Sequence, residues 1–176
     1  MAHAFHRTPP PYVAQTSRNT CWAACLEMWF RAELGYQYWT QRQLVNSAGA
    51  FTMGWGGINL SGLQDVISDS TAVGTIQMYT KVFNSAADVP DIGDLLLHVG
   101  YVYVAFMATK GGGGHVNLLM GYNGLNTYLA ADPDPGVGMT GRDHEVYFSF
   151  FPGMVGWRLT PSLPGLGYTG KAPWEY

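Results

Sequence analysis

The 176-residue chain predicts an α+β domain, with helices first and antiparallel strands second. Three observations carry this. An apolar segment from Trp22 to about Leu34 follows a polar loop and is apolar almost all round, the pattern of a helix in the middle of a fold. The hydrophobic pattern changes period near residue 100, where Tyr101 to Met107 is a β-branched and aromatic run without charge. Glycine, proline and asparagine turn signals then separate further short apolar runs. Helices followed by strands in one chain is an α+β organisation, with the first helix expected to pack across the sheet.

In chain order, residues 1–14 read as a Pro-rich arm, extended and at best loosely packed. Residues 15–176 read as one domain. Thr20 is placed to cap the first helix with its hydroxyl, and Gly35 to stop it. Thr40 reads as the cap of a short helix, Gln41 to Asn46, which the Ser47-Ala48-Gly49 turn ends. Met53 to Ile58 reads as a loop too rich in glycine for regular structure. Ser61 is expected to cap a helix from Gly62 to Ser68 whose apolar face is Leu63, Val66 and Ile67. The weak alternation of Thr71 to Val82 suggests an edge strand around Thr75 to Tyr79, and Pro90-Asp91 opens a helix from Ile92 to His98, bounded by Gly100. After the Tyr101 strand, Lys110 and the glycines 111–114 lead into a strand carrying His115. The Asn123-Gly124 hairpin signal precedes a strand from Thr127 to Ala131, and Val146 to Phe151 and Val155 to Leu159 read as two more.

Composition narrows the function. Charged residues are 12% of the chain, hydrophobic residues 47% and aromatics 14%, so much of the surface must be uncharged. A net charge of −3 without a basic cluster argues against nucleic acid or an anionic membrane as partner. The apolar runs are strand-sized, so no membrane span is expected. The first residues contain no apolar run of the secretory kind. Two cysteines four apart on one helix make a poor disulfide framework and no zinc site, so neither metal nor cofactor is expected. A reducing compartment fits a free thiol, hence a cytoplasmic location in the producing cell, with export lacking a cleaved signal peptide left open.

The chemistry centres on Gln15 to Cys25. A cysteine at the start of a helix sits at the positive end of the dipole, where a thiolate is stabilised. Gln15 lies six positions before Cys21, and its amide can point to the same space as the Cys21 N–H. Two such donors suit a tetrahedral oxyanion. Cys25, one turn deeper without polar neighbours, reads as core. Of the five histidines, His3 and His6 lie in the arm, His98 ends a helix, and His144 reads as a surface loop residue. Only His115 begins an apolar strand after a flexible loop, free to reach Cys21. Asp132 opens Asp132-Pro133-Asp134-Pro135-Gly136, which is a turn in any protein and also a carboxylate at a strand end. Asp134 is the alternative acid, and Asn117 a third.

Gln15, Cys21-Trp22 opening a buried helix, and Gly114-His115-Val116 closing on Gly121-Tyr122 together resemble the papain-like cysteine peptidases. The resemblance frames residues 15–132 and implies a papain-like fold. It implies Cys21 as nucleophile, His115 as acid–base, Asp132 as the group orienting the imidazole and Gln15 as oxyanion donor. Papain itself would carry Asn followed by Ser-Trp at the third position. The Asp-Pro step found here moves the likeness toward bacteriocin-leader peptidases and plant-pathogen effector proteases. Gly56-Gly57 resembles the glycine pair that papain relatives lay against the substrate main chain, although a flexible turn explains it equally. Trp22, Trp55 and Gly114 are the other candidate cleft residues, and either tryptophan could be core.

The implied activity is cysteine peptidase or amidase chemistry on a protein or peptide. A bacterial effector or toxin role, with a cognate immunity or inhibitor protein, is one extension. The alternatives are deamidation, transamidation or peptidoglycan amide cleavage by the same residues, or a catalytically dead module that binds a partner through exposed aromatic surface.

Overall fold

A computed structural model describes residues 5–34, 39–49, 52–53, 57–72, 77–107, 113–123 and 126–159. Gly35, Trp55, Gly56, Lys110, Gly124 and the residues after 159 lie outside that set. The short strand β1 (Phe5–His6) and the helix α1 (Cys21–Leu34) come first, followed by α2 (Gln41–Ser47). Every residue from Cys21 to Phe30 is buried, so the apolar segment does become a central helix. Thr40 caps α2 through a reciprocal pair: its hydroxyl accepts from Gln43 N, and the Gln43 side chain accepts from Thr40 N.

Next come β2 (Thr52–Met53) and β3 (Gly57–Ile58), an antiparallel pair where sequence predicts only loop. Then α3 (Leu60–Ala72) begins two residues before the expected start. Asn59 supplies the cap, its Oδ1 accepting from Gly62 N at 2.8 Å, in place of Ser61. The edge strand β4 (Met78–Phe83) lies C-terminal to its expected position, with its ends Met78 and Phe83 buried. Helix α4 (Ile92–His98) keeps its expected bounds, capped by Asp91 Oδ1 on Asp94 N at 2.9 Å.

The remaining elements are β5 (Val102–Met107), β6 (Gly114–Tyr122), β7 (Thr127–Asp132), β8 (Gly138–Asp143), α5 (His144–Phe148) and β9 (Gly153–Arg158). Among the described residues the sheet runs β4-β9-β5-β6-β7-β8, antiparallel throughout, with β1 also on β6. Two expectations are corrected here. Val146 to Phe151 is not a strand: its first part belongs to α5, where Tyr147 and Phe148 turn inward. The strand lies earlier, at β8, whose alternating half-exposed residues carry no apolar signal and are held by backbone pairing to β7. His144 accordingly opens a helix; its Nδ1 stands 3.0 Å from the Tyr128 hydroxyl, and its ring packs on Phe148 at 4.6 Å.

The sheet is covered on both faces. Cys25, Leu26, Trp29 and Phe30 of α1, with Leu44 and Leu63 of the next two helices, pack against Tyr103, Val116, Leu118 and Met154. On the other face, Ile92, Leu95, Tyr147 and Phe148 pack against Val102, Val104, Leu119 and Trp157. The period-2 alternation of β5 and β6 assigns each side chain to its face. The tail of α1 is tied down by Glu33, which accepts from Tyr101 N and pairs with Arg158. A Cβ at Gly100 would stand 2.5 Å from Glu33 Oε1, so a larger residue there would have to displace the carboxylate from its bonds to Tyr101 and Arg158.

The arm is extended, as expected, yet not loose. Phe5 and His6 pair with Tyr122 and Gly121, on the part of β6 that runs beyond the start of β5. Arg7 N donates to Met120 O at 2.8 Å, and its guanidinium reaches Leu96 O at the C-terminus of α4 at 2.8 Å. Tyr101 and Tyr12 hydroxyls bond Thr8 O and Asp134 O. The free edge of β6 offers backbone groups that need partners, and the arm supplies them.

Candidate active site

Cys21 is the first residue of α1, directly after the loop that holds Gln15. The loop closes on itself: Thr20 Oγ1 accepts from Ser17 N at 3.0 Å and donates to Ser17 O at 3.1 Å. Thr20 occupies the capping position, since its carbonyl accepts from Ala23 and Ala24. Its hydroxyl, however, serves Ser17 and not the first-turn amides as sequence predicts. Ala23 N and Ala24 N are thus taken by the Thr20 carbonyl, and Cys21, ahead of them, stands at the positive end of the α1 dipole.

His115 is the second residue of β6 and lies opposite Phe106, with ring centroids 5.7 Å apart. Its Nε2 is 2.9 Å from Asp132 Oδ1 at the end of β7, and the ring faces the same cleft as Cys21, which acts on its pKa. Asp132 is 1% exposed. Oδ1 accepts a second bond from Asp134 N at 2.9 Å, and Oδ2 pairs with Arg142 at 2.7 Å. Asn117, fully buried, also helps hold the carboxylate ionised, while its own Oδ1 accepts from the Tyr147 hydroxyl. Asn117 is thus a neighbour of the acid and not its substitute; Asp134 contributes a backbone N–H.

Electrostatics follow from these contacts. Burial works to lower the His115 pKa, but Asp132 and Cys21 outweigh it and raise the ring from 6.5 to about 9. Burial likewise works to raise Asp132, yet His115, the Asp134 amide and Asn117 bring it from 3.8 to about 2. Cys25 takes no part: fully buried, it donates its S–H to Val116 O at 3.3 Å, and burial pushes its pKa well up.

Beside the sulfur opens a cleft of about 440 Å³ that Cys21 and His115 both line. Trp22, buried to 2% exposure, contributes to its wall, together with Gly57 and Gly114. A Cβ on Gly57 would touch Asn19 at 3.8 Å, an ordinary contact, so the protein itself does not demand glycine there. Trp55 and Gly56 fall outside the described residues. Gln15 donates its backbone N–H to Pro133 O at 2.8 Å, next to Asp132, and its Oε1 is buried without a hydrogen-bond partner. No group of histidine, cysteine and carboxylate among the described residues could hold a metal ion.

Arg142 is the residue that sequence reasoning missed. It lies on the unforeseen strand β8, which pairs with β7, and its guanidinium reaches along the strand to Asp132. A usable signal existed: a buried carboxylate needs a cation, and Arg142 stands ten positions after Asp132.

No family model and no curated protein matches the sequence. Solved structures do match. The peptidase domain of Streptococcus ComA, a bi-functional ABC transporter involved in a quorum-sensing pathway, aligns with a TM-score of 0.62 at 17% identity, over 86% of this chain and 98% of that domain. A C39-like peptidase from Bacillus anthracis aligns with a TM-score of 0.62 at 12% identity, over 88% of this chain and 97% of that one. The chain has the papain-like fold that these peptidase structures share.

Proposed function

We propose that this protein is a cysteine peptidase that cleaves a peptide or protein segment through Cys21, His115, Asp132 and Gln15. The observation that carries the reading is that Cys21, the first residue of α1, and His115 line one cleft, with the His115 ring hydrogen-bonded to a buried, arginine-paired carboxylate. The Nε2 bond to Asp132 leaves Nδ1 for the sulfur. With His115 raised to about 9, the ring carries its proton at neutral pH, ready for the leaving amine.

The sulfur attacks the scissile carbonyl carbon, forming a C–S bond while the carbonyl π electrons move to oxygen. The Cys21 N–H and the Gln15 amide stabilise that oxyanion. Collapse re-forms the carbonyl and breaks the C–N bond as His115 delivers its proton to the leaving amine. Water then adds to the thioester with His115 as base, and the acid is released with the thiolate regenerated. Asp132 stays ionised throughout, orienting the ring and stabilising imidazolium. The mainly apolar cleft beside the sulfur, with Arg18 on its wall, fits an extended chain, with Gly57 and Gly114 allowing close main-chain approach.

The test compares wild type with Cys21→Ala on a whole proteome, reading new peptide termini by mass spectrometry. Termini dependent on Cys21 are expected. Identical profiles would end the peptidase reading, whereas deamidated glutamines in uncut substrates would replace hydrolysis of the backbone by deamidation.

A further inference from the structure

The side-chain oxygen of the oxyanion donor proposed above has no hydrogen bond to hold it. Gln15 Oε1 is buried without a hydrogen-bond partner, so the direction of its amide depends on where the backbone places the residue. Its own N–H is fixed on Pro133 O, and the backbone on either side is gripped by one further side chain. Gln41, at the first position of α2 and 5% exposed, donates Nε2–H to Ala14 O at 3.0 Å. Its Oε1 accepts from Thr16 N at 2.8 Å and from the Thr16 hydroxyl at 2.9 Å. The residues on both sides of Gln15 are therefore bound to a single carboxamide.

Gln41 is in turn fixed to the nucleophile helix. Its backbone N–H donates to the carboxylate of Glu27, a buried residue of α1 that also pairs with Arg31. Hydrogen bonds thus run from α1, which carries Cys21, through Glu27 and Gln41 to the chain on either side of Gln15. The chemistry of the clamp is specific. Ala14 offers only an acceptor and Thr16 only donors at these atoms, so the clamp must both donate and accept, as a carboxamide does. A carboxylate at 41 keeps the Thr16 bonds but sets an oxygen against Ala14 O. A methionine keeps the volume and loses both.

We infer that Gln41 is a positioning residue of the oxyanion hole, holding Ala14 and Thr16 so that the Gln15 amide meets the oxyanion formed on Cys21. This rests on the peptidase reading. A small displacement of one donor is enough to matter, because stabilisation by a preorganised hydrogen bond depends steeply on its placement.

The experiment uses the full chain and the variants Gln41→Met, Gln41→Glu, Gln15→Ala and Gln15→Ala/Gln41→Met. Three readouts separate positioning from general damage: turnover of a fluorogenic peptide spanning the most-cut proteome site, affinity for the aldehyde acetyl-Leu-Leu-norleucinal, and alkylation of Cys21 by iodoacetamide. Alkylation forms no oxyanion. For Gln41→Met, kcat is expected to fall roughly 10–100-fold with KM little changed. Aldehyde affinity should fall in parallel, and the alkylation rate should stay within about twofold. Gln41→Glu should show the same pattern at smaller size, and the double variant should be no slower than Gln15→Ala alone. The inference is overturned by unchanged kcat in both Gln41 variants, by additive losses in the double variant, or by alkylation falling with kcat. If wild type neither cleaves peptide nor binds the aldehyde, the peptidase reading fails first and this inference with it.

Discussion

Replacing Asp132 with asparagine tests the proton arrangement directly. The interval from 6.5 to about 9 for His115 corresponds to roughly 3 kcal/mol favouring imidazolium, net of the opposing burial. Asp132 contributes the first of the raising interactions, through a 2.9 Å hydrogen bond, and also by its charge. Asparagine preserves the shape but removes the charge, and it leaves Arg142 facing a neutral amide. The His115 pKa should therefore fall by about one to two pH units. The stability cost should be about 3–5 kcal/mol, because one partner of a buried ion pair is removed. The sign follows from linkage. His115 stabilises the folded state fully below about 6.5, and that contribution disappears as pH rises through about 9. Asp132 stabilises it above about 3.8, and that contribution disappears as pH falls through about 2. Both describe one contact and are counted once. The assay is NMR titration of the imidazole signals, with His115 assigned through His115→Gln, alongside urea unfolding at several pH values. If His115 titrates at the same pH in Asp132→Asn as in wild type, Asp132 is not what holds the proton, and the triad reasoning fails.

Other outcomes follow from neighbouring contacts. Arg142→Met removes the cation 2.7 Å from Asp132 Oδ2, so the carboxyl should titrate at higher pH and the acid limb of the pH–rate profile should move upward with it. Gly153→Ala should destabilise by about 1–3 kcal/mol or more in urea unfolding, because the new Cβ would lie 2.2 Å from Phe83 Cζ and 3.0 Å from Ala105 O. Arg7→Ala should cost about 1–2 kcal/mol, since the guanidinium donates to Leu96 O through both Nε and Nη2, and should speed amide exchange in the arm.

Much of this was legible in the sequence wherever a local pattern and the tertiary outcome agree. The helix from Cys21 is apolar nearly all round because it lies between the sheet and two other helices. Helix α4 carries its cap, Asp91, and its stop within a few residues. His115 and Asp132 could be paired in advance because each sits at a strand end, and β6 and β7 are neighbours. The misses have the opposite character. Strand β8 is held by its backbone and has no buried side to announce it, while the apolar run after it contributes one face to a short helix. Arg142 was lost with that strand. Gln41 is a polar residue whose partners lie 25 and 27 positions away, and no local composition marks such a contact. Asn59 and Ser61 are both competent cap types, and local sequence alone does not choose between them.

The turn after β7 serves two parts of the site within adjacent residues. Asp132 fixes the imidazole, and the carbonyl of Pro133 receives the backbone N–H of Gln15. Under the proposed mechanism, ring orientation and oxyanion support would therefore share one anchor, and a shift of that turn would weaken both at once.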